Sequence, residues 1–215
     1  MMLKPCSWMP HTLQCGHTQP KPDMLLVLLH GWGARAEDME VLAHTLGGCQ
    51  PRTLTLAPQG FESAGISTGA RQWFDVQGMT PHNRQLRIAA VLPRMAAWIS
   101  TVQMQTGVPW HNTVLAGFSQ GASVALALAC VHERLAAKVL AFSGRLPEAA
   151  KPVPGTSLHF FTGAQDALLP LEELRASVQN LHTVGSRVTL DVAENLGHSI
   201  NMQLLDRARN YLVSG

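Results

Sequence analysis

One serine in this 215-residue chain stands in surroundings that could do chemistry: Gly117-Phe118-Ser119-Gln120-Gly121. As a bare pattern, G-x-S-x-G arises by chance in roughly one chain in ten of this length. Its setting is more telling. Residues 113–116 read as a strand leading in, and residues 122–131 as an apolar helix leading out. A sharp strand-to-helix turn leaves no room for a side chain on either flank, and it lifts the serine hydroxyl to the edge of a sheet. The helix start behind it turns backbone N–H groups and a positive dipole end toward that hydroxyl. The chemistry this permits is nucleophilic attack on a carbonyl.

A serine hydroxyl needs a base, and the base needs an acid to orient it. On this kind of turn the chain order is Ser, then Asp or Glu, then His. Four histidines follow Ser119. His132 ends the helix behind the serine, His159 lies inside a strand and His182 ends a helix. His198 alone leaves a strand, 187–192, at its carboxyl end, through a short loop containing Gly197. Among the acids, Glu172 and Glu173 sit on a solvated helix face and Asp191 within a strand. Asp166 follows the apolar strand 158–161 through Thr162-Gly163-Ala164-Gln165, which returns a carboxylate to the carboxyl edge of the sheet. Asp166 is the expected orienter, and Glu194, near His198 in sequence, is the alternative. An oxyanion would be held by the backbone N–H of Gln120, the residue after the nucleophile, and by a second donor after an earlier buried strand. Met24–Leu29 is that strand, His30-Gly31-Trp32-Gly33 is the loop, and Trp32 is the expected donor.

The elements that position these residues alternate along the chain. Met24–Leu29 is a continuous apolar run, as a strand buried on both faces should be. Residues 36–46 are helical in content, 53–56 form a short strand, and 57–82 read as a long irregular loop, the active-site loop in this arrangement. A long helix is expected over 83–105, with Ile88, Leu92, Met95, Ile99 and Val102 on one face and a kink at Pro93. Strands follow at 138–142, 158–161 and 187–192, with helices at 171–181 and 201–213. Strands alternating with helices imply an α/β domain with a mostly parallel central sheet and helices on both faces. In such sheets chemistry gathers at the carboxyl ends of the strands. Residues 1–215 read as a single domain, with 1–23 an N-terminal extension or edge strand. Only 47 positions separate Ser119 from Asp166, too few for a cap domain.

Composition narrows the function classes. Hydrophobic residues make up 46% and charged residues only 14%, with 16 Lys and Arg against 14 Asp and Glu. The basic residues are scattered, which removes the footprint of a nucleic-acid partner and of a polybasic membrane surface. No apolar run approaches the ~20 residues of a membrane span, and no secretory leader is visible, so a cytoplasmic location without a stable membrane anchor is expected. Cys6, Cys15, Cys49 and Cys130 form no disulfide framework. The grouping Cys6, His11, Cys15 and His17 fits no zinc spacing, and Cys130, in an Ala/Leu/Val run, reads as a buried thiol. No metal or organic cofactor is implied.

Taken in order, Leu28-Leu29-His30-Gly31-Trp32-Gly33, Gln72-Trp73-Phe74-Asp75, the Ser119 turn, the Gly163–Pro170 segment with Asp166, and Gly197-His198 resemble the phospholipase/carboxylesterase family of α/β hydrolases. That family includes acyl-protein thioesterases and small bacterial carboxylesterases. The likeness runs from about Leu25 to Leu212 and is closest to the bacterial esterase branch, where Arg71-Gln72-Trp73-Phe74 with Val76-Gln77-Gly78 is a familiar stretch. It implies an α/β-hydrolase fold, a Ser119–His198–Asp166 triad, an oxyanion hole of Trp32 and Gln120, and an acyl pocket lined by Trp73 and Phe74. Two positions depart from the family's usual pattern. Ala34 stands where Asp often follows H-G-x-G, and Trp32 replaces an aliphatic residue; both bear on pocket shape. The expected reaction is hydrolysis of short-chain esters or thioesters through an acyl-enzyme. Acyl-protein thioesterase or lysophospholipase activity, acyl transfer to another acceptor, and a non-catalytic acyl-binding protein are the alternatives. The low charge also leaves room for an apolar surface serving a homodimer or an acyl chain.

Overall fold

The computed structural model describes residues 2–16, 21–147 and 153–213. His17, the last member of the Cys/His grouping, lies outside them. The expected alternation is present; several strands run longer than the residues alone indicate, while the α-helices expected over 36–46 and 201–213 are shorter. In chain order they are β1 (Lys4–Pro5), β2 (Thr12–Cys15), β3 (Met24–Leu29), α1 (Glu40–Gly47), β4 (Thr53–Pro58), β5 (Glu62–Ser63), β6 (Arg71–Gln72), α2 (Pro81–Thr106), β7 (Thr113–Phe118), α3 (Gln120–Val131), β8 (Lys138–Phe142), β9 (Ser157–Gly163), α4 (Leu171–Thr183), β10 (Arg187–Ala193) and α5 (Met202–Val213).

The main sheet runs β1-β2-β4-β3-β7-β8-β9-β10. From β4 to β10 every pairing is parallel; β1 and β2 add an antiparallel edge. The pleat divides each strand between two cores. On β3, Leu25, Val27 and Leu29 pack with α2, α3 and α4, while Met24, Leu26 and Leu28 pack with α1 and α5. Burial on both faces explains why all six residues of β3 are apolar. The mostly parallel sheet with helices on both faces is as expected from the sequence.

Three expectations need correction. The 57–82 stretch is not wholly irregular: β5 and β6 pair as a short antiparallel ribbon within it. The long helix starts two residues early, because Thr80 and Asn83 exchange side-chain-to-backbone hydrogen bonds in a capping box and Pro81 occupies the first turn. It then runs through Pro93 without interruption in its helical assignment, with Ile88, Leu92, Met95, Ile99 and Val102 all buried. Cys130 is only half-buried, since the last turn of α3 leaves the core and Val131 is exposed. Even so, burial pushes the Cys130 thiol up to about 11. Among the described residues no helix is long and apolar enough to cross a membrane.

Candidate active site

The parallel strands deliver their carboxyl ends to one edge, and the predicted residues meet there. Ser119 sits between β7 and α3 with φ 54° and ψ −112°. Only a held turn keeps a non-glycine residue there, at a backbone strain of about 1–3 kcal/mol. The hold is visible: the Ser119 N–H donates to Phe142 O at the end of β8, and its carbonyl accepts from the Ser123 N–H and hydroxyl. The flanking glycines are steric necessities. A Cβ on Gly117 would lie 2.6 Å from Ala122 N, and one on Gly121 would lie 2.2 Å from Leu29 O.

His198 and Asp166 arrive on the loops after β10 and β9. The Ser119 hydroxyl lies 2.8 Å from His198 Nε2, and His198 Nδ1 lies 2.8 Å from an Asp166 carboxylate oxygen. With Nδ1–H donating to Asp166, Nε2 is free to accept the serine proton. The other Asp166 oxygen accepts the Leu168 and Leu169 N–H groups, each at 2.9 Å. Burial alone would raise the Asp166 pKa. Hydrogen bonding to His198, to the Leu169 N–H and toward the Ser143 hydroxyl outweighs it and holds the carboxyl below its ordinary value. The two loops are tied to each other as Ala164 N–H donates to Ala193 O and Gln165 N–H to Leu196 O. They approach so closely that a Cβ on Gly163 would fall 2.0 Å from Leu196 O. Phe118 packs against the His198 ring, with centroids 5.0 Å apart. Glu194, the alternative acid, has no contact of this kind with His198 among the described residues.

Trp32 and Gln120 face the same cleft, of about 570 Å³, lined also by Phe74, Val76, Met79, Ile88, Phe118, Leu168 and Leu169. Among the described residues neither the Trp32 nor the Gln120 backbone N–H donates to a protein acceptor, whereas the Trp32 indole N–H donates to Gln72 Oε1 at 3.0 Å. Gln120 opens α3, where the first N–H groups have no partner within the helix. The loop carrying Trp32 is fixed from beneath by His30. The buried imidazole accepts the Gly60 N–H at Nε2 and donates from Nδ1 to Gly31 O, and burial lowers its pKa so that it stays neutral.

Phe74 lines the cleft as expected, but Trp73 does not. It is fully buried, its indole N–H donates to His30 O, and its ring lies against His30 and Phe61. An indole needs a partner for its one polar atom, and here the scaffold supplies it. Two further side chains carry weight that sequence reasoning missed. The Gln120 amide accepts the Trp73 N–H and donates to Phe74 O, both at 2.8 Å, clasping the cleft wall to the serine turn. The signal was a lone amide opening an otherwise apolar helix, because a buried polar group must find a partner. The second is Ser143, directly after β8, with φ 48° and a buried hydroxyl that has no hydrogen-bond partner of good geometry among the described residues. Its place at the carboxyl end of the strand beside the serine turn was the available signal.

A serine hydroxyl, an imidazole and a carboxylate in one hydrogen-bonded chain, beside two backbone N–H groups, form an arrangement that can support acyl chemistry. Comparison with known proteins agrees. The family model described as Phospholipase/Carboxylesterase matches residues 13–214. The esterase YpfH of Escherichia coli (strain K12) is 37% identical over 191 residues, covering 87% of this chain and 81% of that protein. Acyl-protein thioesterase 1 of Yarrowia lipolytica is 28% identical over 93 residues, 42% of this chain and 41% of that one. The crystal structure of esterase PE8 superposes with a TM-score of 0.83 at 25% identity, covering 93% and 95% of the two chains. The Ser119 turn, the parallel sheet beneath it and this extent of matching sequence converge on one assignment: the chain belongs to the phospholipase/carboxylesterase family of α/β hydrolases and is a hydrolase of ester bonds.

Proposed function

We propose that the chain hydrolyses short-chain carboxylic esters or thioesters through an acyl-enzyme on Ser119. The observation that carries this is the unbroken hydrogen-bond chain from Ser119 Oγ through His198 to Asp166, with both links at 2.8 Å. His198 Nε2 takes the hydroxyl proton as Oγ attacks the carbonyl carbon. The carbonyl π pair moves onto oxygen, where the Trp32 and Gln120 N–H groups receive it. Collapse expels the alcohol or thiol, which takes the proton back from His198. A water molecule then repeats the cycle and releases the acid. Asp166 stays ionised, holds the imidazole in the useful tautomer and stabilises its cation.

The cleft supports short acyl groups: Phe74, Val76, Met79 and Ile88 form a compact apolar wall. The partial likeness to acyl-protein thioesterase 1 keeps thioesters within the class. We read residues 1–215 as one domain in which 57–82 is the active-site loop. The test is p-nitrophenyl butyrate beside a butyryl thioester. The wild-type protein should turn over both, and Ser119→Ala should lose roughly 10⁴-fold or more in kcat. Wild-type rates in Ser119→Ala would overturn the reading.

A further inference from the structure

Among the described residues, the charged side chains lining the cleft, apart from His198, are Arg84 and Arg145, and no carboxylate lines it. The arginines near it differ in how they are satisfied. On α2, Arg87 donates to Asp75 O and Gln77 O and lies 3.8 Å from the Asp75 carboxylate, while Arg94 sits over the Phe61 ring. Arg145 pairs with Glu173 and donates to Leu168 O. Arg84 is half-buried, yet among the described residues its guanidinium makes no hydrogen bond or ion pair.

Its position is also electrostatically adverse. Arg84 is the fourth residue of α2, whose first turn carries no acid. A cation there stands in the positive end of the helix field, where carboxylates are favoured and cations are not. Folding stability gives no reason for a partly desolvated guanidinium with five unused donors at this point. Arg84, Ile88 and Arg145 also line a second, largely apolar cavity of about 510 Å³ between α2 and α3, beside Leu92, Ala127 and Cys130, with Glu133 as its one described carboxylate. The arginines therefore stand where the nucleophile's cleft meets a further groove.

Resting on the hydrolytic reading above, we propose that Arg84 is a specificity-determining residue: it receives a carboxylate or phosphate carried by the substrate near the scissile bond, making this an esterase of anionic esters. The guanidinium fork matches either group bidentately, and apolar walls strengthen the pairing. Arg145, already engaged by Glu173, adds field rather than a free fork.

Two pairs of esters test this and separate the two sides of the scissile bond. The first compares the mono-p-nitrophenyl ester of adipate with p-nitrophenyl hexanoate, which differ by a charge on the acyl group. The second compares the butyrate esters of 4-hydroxybenzoate and of its methyl ester, which differ by a charge on the leaving group. In at least one pair the charged-to-neutral ratio of kcat/KM should fall about tenfold to a hundredfold from wild type to Arg84→Gln. Arg84→Lys, which keeps the charge, should retain part of that ratio, and added salt should shrink the wild-type ratio. Arg87→Gln should keep it. Unchanged ratios in Arg84→Gln for both pairs would overturn the proposal. Failure of the hydrolytic reading itself looks different: Ser119→Ala would then cleave all four esters.

Discussion

Gln120 is the most informative residue to change, because its backbone and its side chain have separate duties. The backbone N–H faces the cleft, while the amide holds Trp73 N–H and Phe74 O. Gln120→Ala leaves the backbone and the Ser119–His198–Asp166 chain in place and removes only the clasp. Two backbone groups in a buried region then lack partners. Each orphaned group costs about 1–3 kcal/mol, so the loss is roughly 2–6 kcal/mol. For a domain of this size that lowers Tm by about 4–24 °C. The freed Phe74 wall should raise KM several-fold, with kcat held within about tenfold. Gln120→Glu keeps an acceptor for Trp73 N–H but loses the donor to Phe74 O, so it should show about half the loss. Calorimetry and p-nitrophenyl ester kinetics on the three proteins check this. A Gln120→Ala protein melting within about 2 °C of wild type, with unchanged KM, would refute the claim that this amide fixes the cleft wall.

Three other outcomes follow from the same geometry. Gly163→Ala places a Cβ 2.0 Å from Leu196 O, a backbone atom that cannot swing aside; the His198 loop must shift, lowering kcat/KM about a hundredfold and stability by about 1–3 kcal/mol, and a fully active variant would contradict it. Burial, then Lys138 and Arg187, push the His159 pKa down to about 4. The unfolded chain therefore binds the extra proton between about pH 6.5 and 4, and stability is lost as the pH drops through that window, at up to about 1.4 kcal/mol per unit. In urea titrations His159→Gln should show a shallower decline, and an identical slope would count against it. Ser143→Gly relieves a positive φ and removes a buried hydroxyl without a well-formed partner. Its stability should rise by about 1 kcal/mol, and unchanged or lowered stability would contradict this.

Much of the fold was legible because covering a parallel strand on both faces leaves an unmistakable apolar run, as in Met24–Leu29. The site was legible for a related reason. The sheet delivers every strand end to one edge, so placement just beyond a strand's carboxyl end, rather than inside a strand, ranks His198 above His159 and Asp166 above Asp191. The tertiary partners of polar groups were not legible. Trp73 and Phe74 are neighbours of similar character, yet one is bolted to His30 O and the other walls the cleft. Nothing local distinguishes them, because the decision is made by a carbonyl 43 positions away. Arg84 was passed over in the same way, since only folded neighbours reveal which of the three arginines on α2 lacks a partner. The ribbon in 57–82 escaped because two-residue strands leave no periodicity to read.

The central claim is that Ser119 is the nucleophile and that His198 activates it. A p-nitrophenyl phosphate triester transfers its phosphoryl group to an activated serine and releases p-nitrophenol, so intact mass and peptide mapping read the reaction directly. One adduct per chain is expected, on the peptide carrying Ser119, absent in Ser119→Ala and formed at least about a hundredfold more slowly in His198→Ala. An adduct on another residue, or equal labelling of wild type and His198→Ala, would contradict it.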